Sequence, residues 1–119
     1  MTRVAVIGVG MMGRNHVRVY SEMPNVELVA VVDQNTALAE PLSSMYHIPL
    51  FSDFREMVEK VKPDAVSVAV PTEFHYEVVK ELLQMNCNVL VEKPIAATLE
   101  QARELLNLAD RYNCVLTVG

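Results

Sequence analysis

The chain has 119 residues, 51% of them hydrophobic and 21% charged, with a formal net charge of −5. That is one domain's worth of chain, long enough to bury its own core and too apolar to be disordered. The acidic balance argues against a nucleic-acid partner, which needs a basic stripe. No apolar run approaches the ~18 residues of a membrane span.

Strand-like and helix-like segments alternate from the first residues on. Val4 to Ile7 is a continuous apolar, β-branched run. It passes into Gly8, Gly10 and Gly13, three of the four glycines in the chain, spaced G-x-G-x-x-G. The stretch from Val4 to Gly13 does not read as a signal peptide: it is glycine-broken, has no small-residue cleavage site and runs into Arg14. Met11 to Met23 then carries Met12, His16, Val19 and Met23 at helical spacing. Val26 to Val32 is a second apolar strand, closed by Asp33. Thr36 to Met45 reads as a helix that Pro41 should kink or delay.

Ile48 to Phe51 is a weaker third strand. Phe54, Val58 and Val61 mark a helix after it. Ala65 to Val70 is the fourth strand and ends at Pro71 and Thr72, with His75 in the first turn of the helix marked by Val78, Val79, Leu82, Leu83 and Met85. Val89 to Val91 is the fifth, ending at Glu92, Lys93 and Pro94. Thr98 to Tyr112 is the clearest helix, with a stripe of Leu99, Ala102, Leu105, Leu106 and Ala109. Thr98 is its N-cap and Gln101 the capping-box partner. Val115 to Val118 is the sixth strand. Cys87 and Cys114, the only two cysteines, each precede a strand. They are too few for a disulfide framework and read as buried free thiols in a reducing cytoplasm. The seven methionines read as core filler.

Strands apolar at nearly every position suit burial on both faces, hence a parallel sheet. Right-handed crossovers then place helices on both faces. In such sheets ligands bind beyond the carboxyl ends of the strands, where the polar residues of this chain collect.

The glycine turn sits between strand and helix, the context in which each glycine has work. Gly8 permits the tight turn, Gly10 lets backbone approach a pyrophosphate, and Gly13 lets helix pack on strand. Val9, Met11 and Met12 share that turn. The helix start offers free N–H groups and about half a positive charge to phosphate. Asp33 lies twenty residues after Gly13, where its carboxylate can accept from both adenosine ribose hydroxyls and would repel a 2′-phosphate. Gln34 follows it, and no Lys or Arg falls within Gln34 to Leu38. NAD is therefore expected over NADP. Lys93 can donate to a substrate oxygen or exchange a proton; the alternative is an ion pair with Glu92 or another acid. His75 can equally be a helix-start residue contacting backbone or water, and His16 reads as packed or capped. His47 carries no signal. No set has metal-ligand spacing, and no Ser or Cys has an arranged base.

The chain resembles the N-terminal domain of the Gfo/Idh/MocA oxidoreductases, the family of glucose–fructose oxidoreductase and inositol dehydrogenase. The resemblance rests on Val6 to His16, Val31-Val32-Asp33, Val70-Pro71-Thr72 with His75, and Val91-Glu92-Lys93-Pro94, the last being the most specific. It implies an α/β fold, a Rossmann-type doubly wound parallel sheet in strand order 3-2-1-4-5-6 within three αβα layers, spanning 1–119. It implies hydride transfer between nicotinamide and a hydroxyl or carbonyl carbon of a sugar, cyclitol or related small molecule, in a parent enzyme that is a homo-oligomer. Gly8, Val9, Gly10, Met11, Met12, Gly13, Asp33 and Gln34 would hold the pyrophosphate and adenosine. Pro71, Thr72, His75, Glu92, Lys93 and Pro94 would line the nicotinamide half, with Lys93 catalytic; Arg14 is common at its position in the family. The family's remaining catalytic groups belong to a C-terminal domain that these residues do not contain, so the chain alone is expected to bind cofactor without turnover. The alternatives are a nucleotide-sensing or partner-binding module, for which Lys93 would have no use, and a split enzyme completed by another chain.

Overall fold

A computed structural model describes all 119 residues. Six strands form one sheet in the order β3-β2-β1-β4-β5-β6, and every neighbouring pair is parallel. The strands are β1 (Thr2–Ile7), β2 (Val26–Val32), β3 (Leu50–Phe51), β4 (Ala65–Val68), β5 (Asn88–Val91) and β6 (Leu116–Val118). The helices are α1 (Met11–Glu22), α2 (Thr36–Tyr46), α3 (Phe54–Val61), α4 (His75–Gln84) and α5 (Leu99–Arg111), with a short 3₁₀ turn at Thr72–Phe74. This is the expected three-layer, doubly wound arrangement.

The strand alternation splits the core between the two faces. Val6 and Val31 join Val9, Val17 of α1 and Ala39 of α2 in a cluster of five. Ala5, Ile7, Val66, Val68, Val89 and Val91 turn the other way, into a cluster of 19 closed by Met57, Leu82, Leu83, Leu105 and Leu108. Helices α3, α4 and α5 cover that larger face. Cys87 is buried and Cys114 half-buried, both as free thiols; burial pushes the Cys87 thiol up to about 11. No helix is long and apolar enough to cross a membrane.

Several local expectations are corrected. The strands at β3, β4 and β6 are shorter than their apolar runs; β4 stops at Val68 because its partners there, Ile7 and Val91, are the last residues of β1 and β5. The buried side of α1 is Gly13 and Val17, and the proposed stripe of Met12, Val19 and Met23 lies largely in solvent. In α5 the buried residues are Leu105, Leu108 and Ala109, while Leu99 and Leu106 are exposed. The i, i+3, i+4 relation joins 105, 108 and 109, and places 99 and 106 on a flank. The methionines are mostly not core filler: Met1, Met11, Met12, Met23 and Met45 are exposed and only Met57 is fully buried. Pro41 does not delay α2, which starts at Thr36 and runs through it. The capping box at α5 is half made. Thr98 Oγ1 accepts from Gln101 N–H at 3.1 Å, but the Gln101 side-chain oxygen is buried without a partner.

Candidate cofactor-binding site

The strand order reverses between β1 and β4, and the glycine turn stands at that point. Gly8 has φ +89°, and a Cβ there would come 2.8 Å from the Ala69 carbonyl. A Cβ on Gly13 would come 1.7 Å from the Gly8 oxygen, so only glycine lets α1 lie this low on the sheet. A Cβ on Gly10 would meet nothing within 4 Å. Space and donors coincide there. No side chain caps α1, and the Arg14 N–H onto the Gly10 carbonyl, at 2.9 Å, is the first backbone bond of its opening turn. The preceding N–H groups point outward unpaired, as at any uncapped helix start.

Asp33 follows β2 and is half-buried. One carboxylate oxygen accepts from Val9 N–H at 2.9 Å, and the other from Asn35 N–H at 2.9 Å. The residue expected at the ribose thus also fastens the glycine turn to the end of β2. Each oxygen has a further lone pair. Gly8, Gly10, Met11, Met12, Asp33, Gln34, Val70 and Pro71 border an open cleft of about 1430 Å³ that runs on to Leu38, Phe54 and Arg55. The exposure of Met11 and Met12 follows from this: they form its rim. An uncapped helix start, a side-chain-free approach at Gly10 and a carboxylate one strand over fit a dinucleotide in donor set and in shape.

Arg55 is a cation that also borders this cleft. It is committed elsewhere, to Glu81 at 2.6 Å and Asp53 at 3.3 Å. These acids raise its already high pKa, the Glu81 hydrogen bond most of all.

The other expected residues divide. Lys93 is exposed and belongs to none of the ion pairs; its backbone N–H donates to the Gly119 carbonyl at 3.1 Å. The alternative of a Glu92–Lys93 pair is not realised, because Glu92 Oε1 lies 2.8 Å from His16 Nε2. Thr72 and Pro94 are exposed beside these loops. His75 is not on the cleft surface. It is 2% exposed, with Nδ1 2.7 Å from the Pro94 carbonyl and Nε2 2.9 Å from the Val70 carbonyl. The ring ties the loop after β4 to the loop after β5, and its contacts are to backbone. The His16 contact to Glu92 could not be read from spacing, since 76 positions separate the two. No group of three or more His, Cys, Asp or Glu side chains could hold a metal ion.

Residues 2–119 match the family described as an oxidoreductase family with an NAD-binding Rossmann fold (GFO_IDH_MocA). D-glucoside 3-dehydrogenase of Escherichia coli strain K12 is 40% identical over 116 residues, which are 96% of this chain and 33% of that protein. The rhizopine catabolism protein MocA of Rhizobium meliloti is 32% identical over 117 residues, 98% of this chain and 37% of that protein. Among solved structures, GenD2 from gentamicin A biosynthesis in complex with NAD superposes with a TM-score of 0.95 at 30% identity, over 99% of this chain and 34% of that one. The chain therefore spans about a third of the length of these relatives.

Proposed function

The chain belongs to the Gfo/Idh/MocA oxidoreductase family, and on that premise we propose that it holds the NAD(H) of a dehydrogenase acting at a hydroxyl-bearing carbon of a sugar or related polyol. The observation that carries this reading is the bond from Val9 N–H to the Asp33 carboxylate. It builds the phosphate end and the ribose end of a dinucleotide site as one unit. The N–H groups at the start of α1 would hold the pyrophosphate. The free lone pairs of Asp33 would accept the adenosine ribose hydroxyls.

Two features favour NAD over NADP. The Asp33 carboxylate would repel a 2′-phosphate, and Arg55, a cation bordering the cleft, is already paired with Glu81 and Asp53. NAD supplies the hydride acceptor at its nicotinamide ring. Lys93, together with Thr72 and Pro94, would stand at the nicotinamide end, where it would donate a hydrogen bond to the substrate oxygen, or take its proton as the alcohol is oxidised. An unpaired lysine at this place suits an enzyme better than a nucleotide sensor. Substrate contacts beyond Lys93 would come from residues outside these 119, since the relatives are about three times as long.

The test is oxidation of a C-deuterated glucoside by the full-length protein. Deuterium should appear on the nicotinamide, and Lys93→Ala should abolish turnover while NADH binding persists. Full turnover by Lys93→Ala would remove Lys93 from the chemistry.

A further inference from the structure

Ser67 lies in the middle of β4, among Ala65, Val66 and Val68, and is fully buried. Its neighbours across the sheet are Val6 and Leu90. A hydroxyl in such a place needs a partner, and it has one in His16, whose Nδ1 is 2.6 Å away. The opposite ring nitrogen, Nε2, lies 2.8 Å from Glu92 Oε1. A carboxylate only accepts, so Nε2 carries a proton, and in the neutral ring Nδ1 then accepts from the Ser67 hydroxyl. The ring is held further by Tyr20, edge-on with centroids 6.3 Å apart.

This chain of contacts depends on the glycine turn. His16 is three residues after Gly13, hence on the same side of α1, and the absence of a Cβ at Gly13 brings that side down onto β4. The helix whose start would hold the pyrophosphate thereby reaches the end of β5. What it grips there is the acid next to Lys93. Glu92 is thus engaged by His16, while Lys93 is exposed and belongs to no ion pair.

We propose that His16, backed by Ser67, is a positioning residue that holds the Glu92 carboxylate away from Lys93 and so leaves the Lys93 amine free for the reacting oxygen of a substrate. The significance for catalysis rests on the reading of Lys93 given above; the pairing itself does not.

Lysine labelling in the chain without cofactor or substrate tests it. A short pulse of acetic anhydride is followed by peptide mass spectrometry, with exposed Lys62 as internal reference. In His16→Ala the released carboxylate should turn to Lys93 and slow its acetylation about threefold or more, as an amine reacts when a neighbouring acid stabilises its charged form. His16→Ala combined with Glu92→Gln should restore the wild-type rate. His16→Gln, whose amide can still donate to Glu92, should keep it. An unchanged rate in His16→Ala, or no recovery in the double variant, overturns the proposal. Should His16→Ala not fold, Glu92→Gln alone decides. Unchanged Lys93 labelling is the expected result, since His16 already keeps the acid away in the wild type, and a clear rise, which would show Glu92 restraining Lys93 with His16 in place, overturns the proposal. Turnover retained by Lys93→Ala in the full-length protein would sink the catalytic reading and leave the labelling result standing.

Discussion

Gly10 and Gly13 stand three positions apart in one turn, and the structure gives their substitution by alanine opposite consequences. At Gly13, inside α1, alanine would gain about 1 kcal/mol in helix propensity. Its Cβ, however, would stand 1.7 Å from the Gly8 oxygen, where real Cβ atoms keep at least 3.0 Å. The obstacle is backbone and cannot rotate away, so α1 must lift by more than an ångström. Overpacking of this kind costs about 1–3 kcal/mol, and lifting α1 also strains the Ser67–His16 contact at 2.6 Å. A clash this close against backbone belongs at the upper end of that range, and less the propensity gain it leaves a net loss of about 2 kcal/mol. At Gly10, with open space around the added methyl and φ −69°, the poorer N-cap and the stiffer unfolded chain nearly cancel, leaving a change within about 0.5 kcal/mol. The methyl would nevertheless occupy the pyrophosphate approach and weaken NADH binding about tenfold or more. Urea denaturation measures the first quantity and calorimetric titration the second. A Gly13→Ala variant as stable as wild type, or a Gly10→Ala variant that binds NADH unchanged, would refute the geometry on which the site is built.

His75→Ala should lose about 2–4 kcal/mol of stability by urea denaturation, from its cavity and from the one backbone carbonyl, of Val70 or Pro94, that loses the ring N–H as donor. A loss below about 1 kcal/mol would mean that the two loops are held by something else. The Cys87 thiol, at about 11 in the folded chain against the ordinary 9.0, ionises more readily once unfolded. Its contribution to stability is therefore present below pH 9 and is lost as pH rises through 11. Urea midpoints for wild type should fall over that range, and Cys87→Ala should flatten the decline; equal slopes would contradict it.

The parts of the fold legible in the sequence are those where one local rule suffices. Uniform apolar runs at Val4–Ile7 and Leu28–Val32 mark strands that enter the core, and the glycine spacing marks a turn with a fixed shape. Thr98 caps α5 as its residue type requires. Less legible were choices made by packing. Met12, Val19 and Met23 have helical spacing, but the low seat of α1 at Gly13 rotates Val17 inward and leaves them outside. Met11 and Met12 are apolar yet exposed because they rim a cleft, and composition carries no sign of that. In the candidate site, Asp33 and the glycines follow from chain order. The His16–Glu92 and His75–Pro94 contacts join segments far apart in the chain and exist only because β4 and β5 lie side by side. His75, expected beside the cofactor, spends both ring nitrogens on backbone carbonyls.

The proposed cofactor site joins the glycine turn to Asp33 and would prefer a free adenosine ribose. Calorimetric titration of the chain with NADH and with NADPH, repeated for Asp33→Ala, tests it most directly. The predicted result is a single saturable NADH site, NADPH weaker by about tenfold or more, and a loss of about 1–3 kcal/mol in NADH binding on removing the carboxylate. Equal affinity for the two dinucleotides, or an Asp33→Ala variant that binds NADH as wild type does, would contradict it.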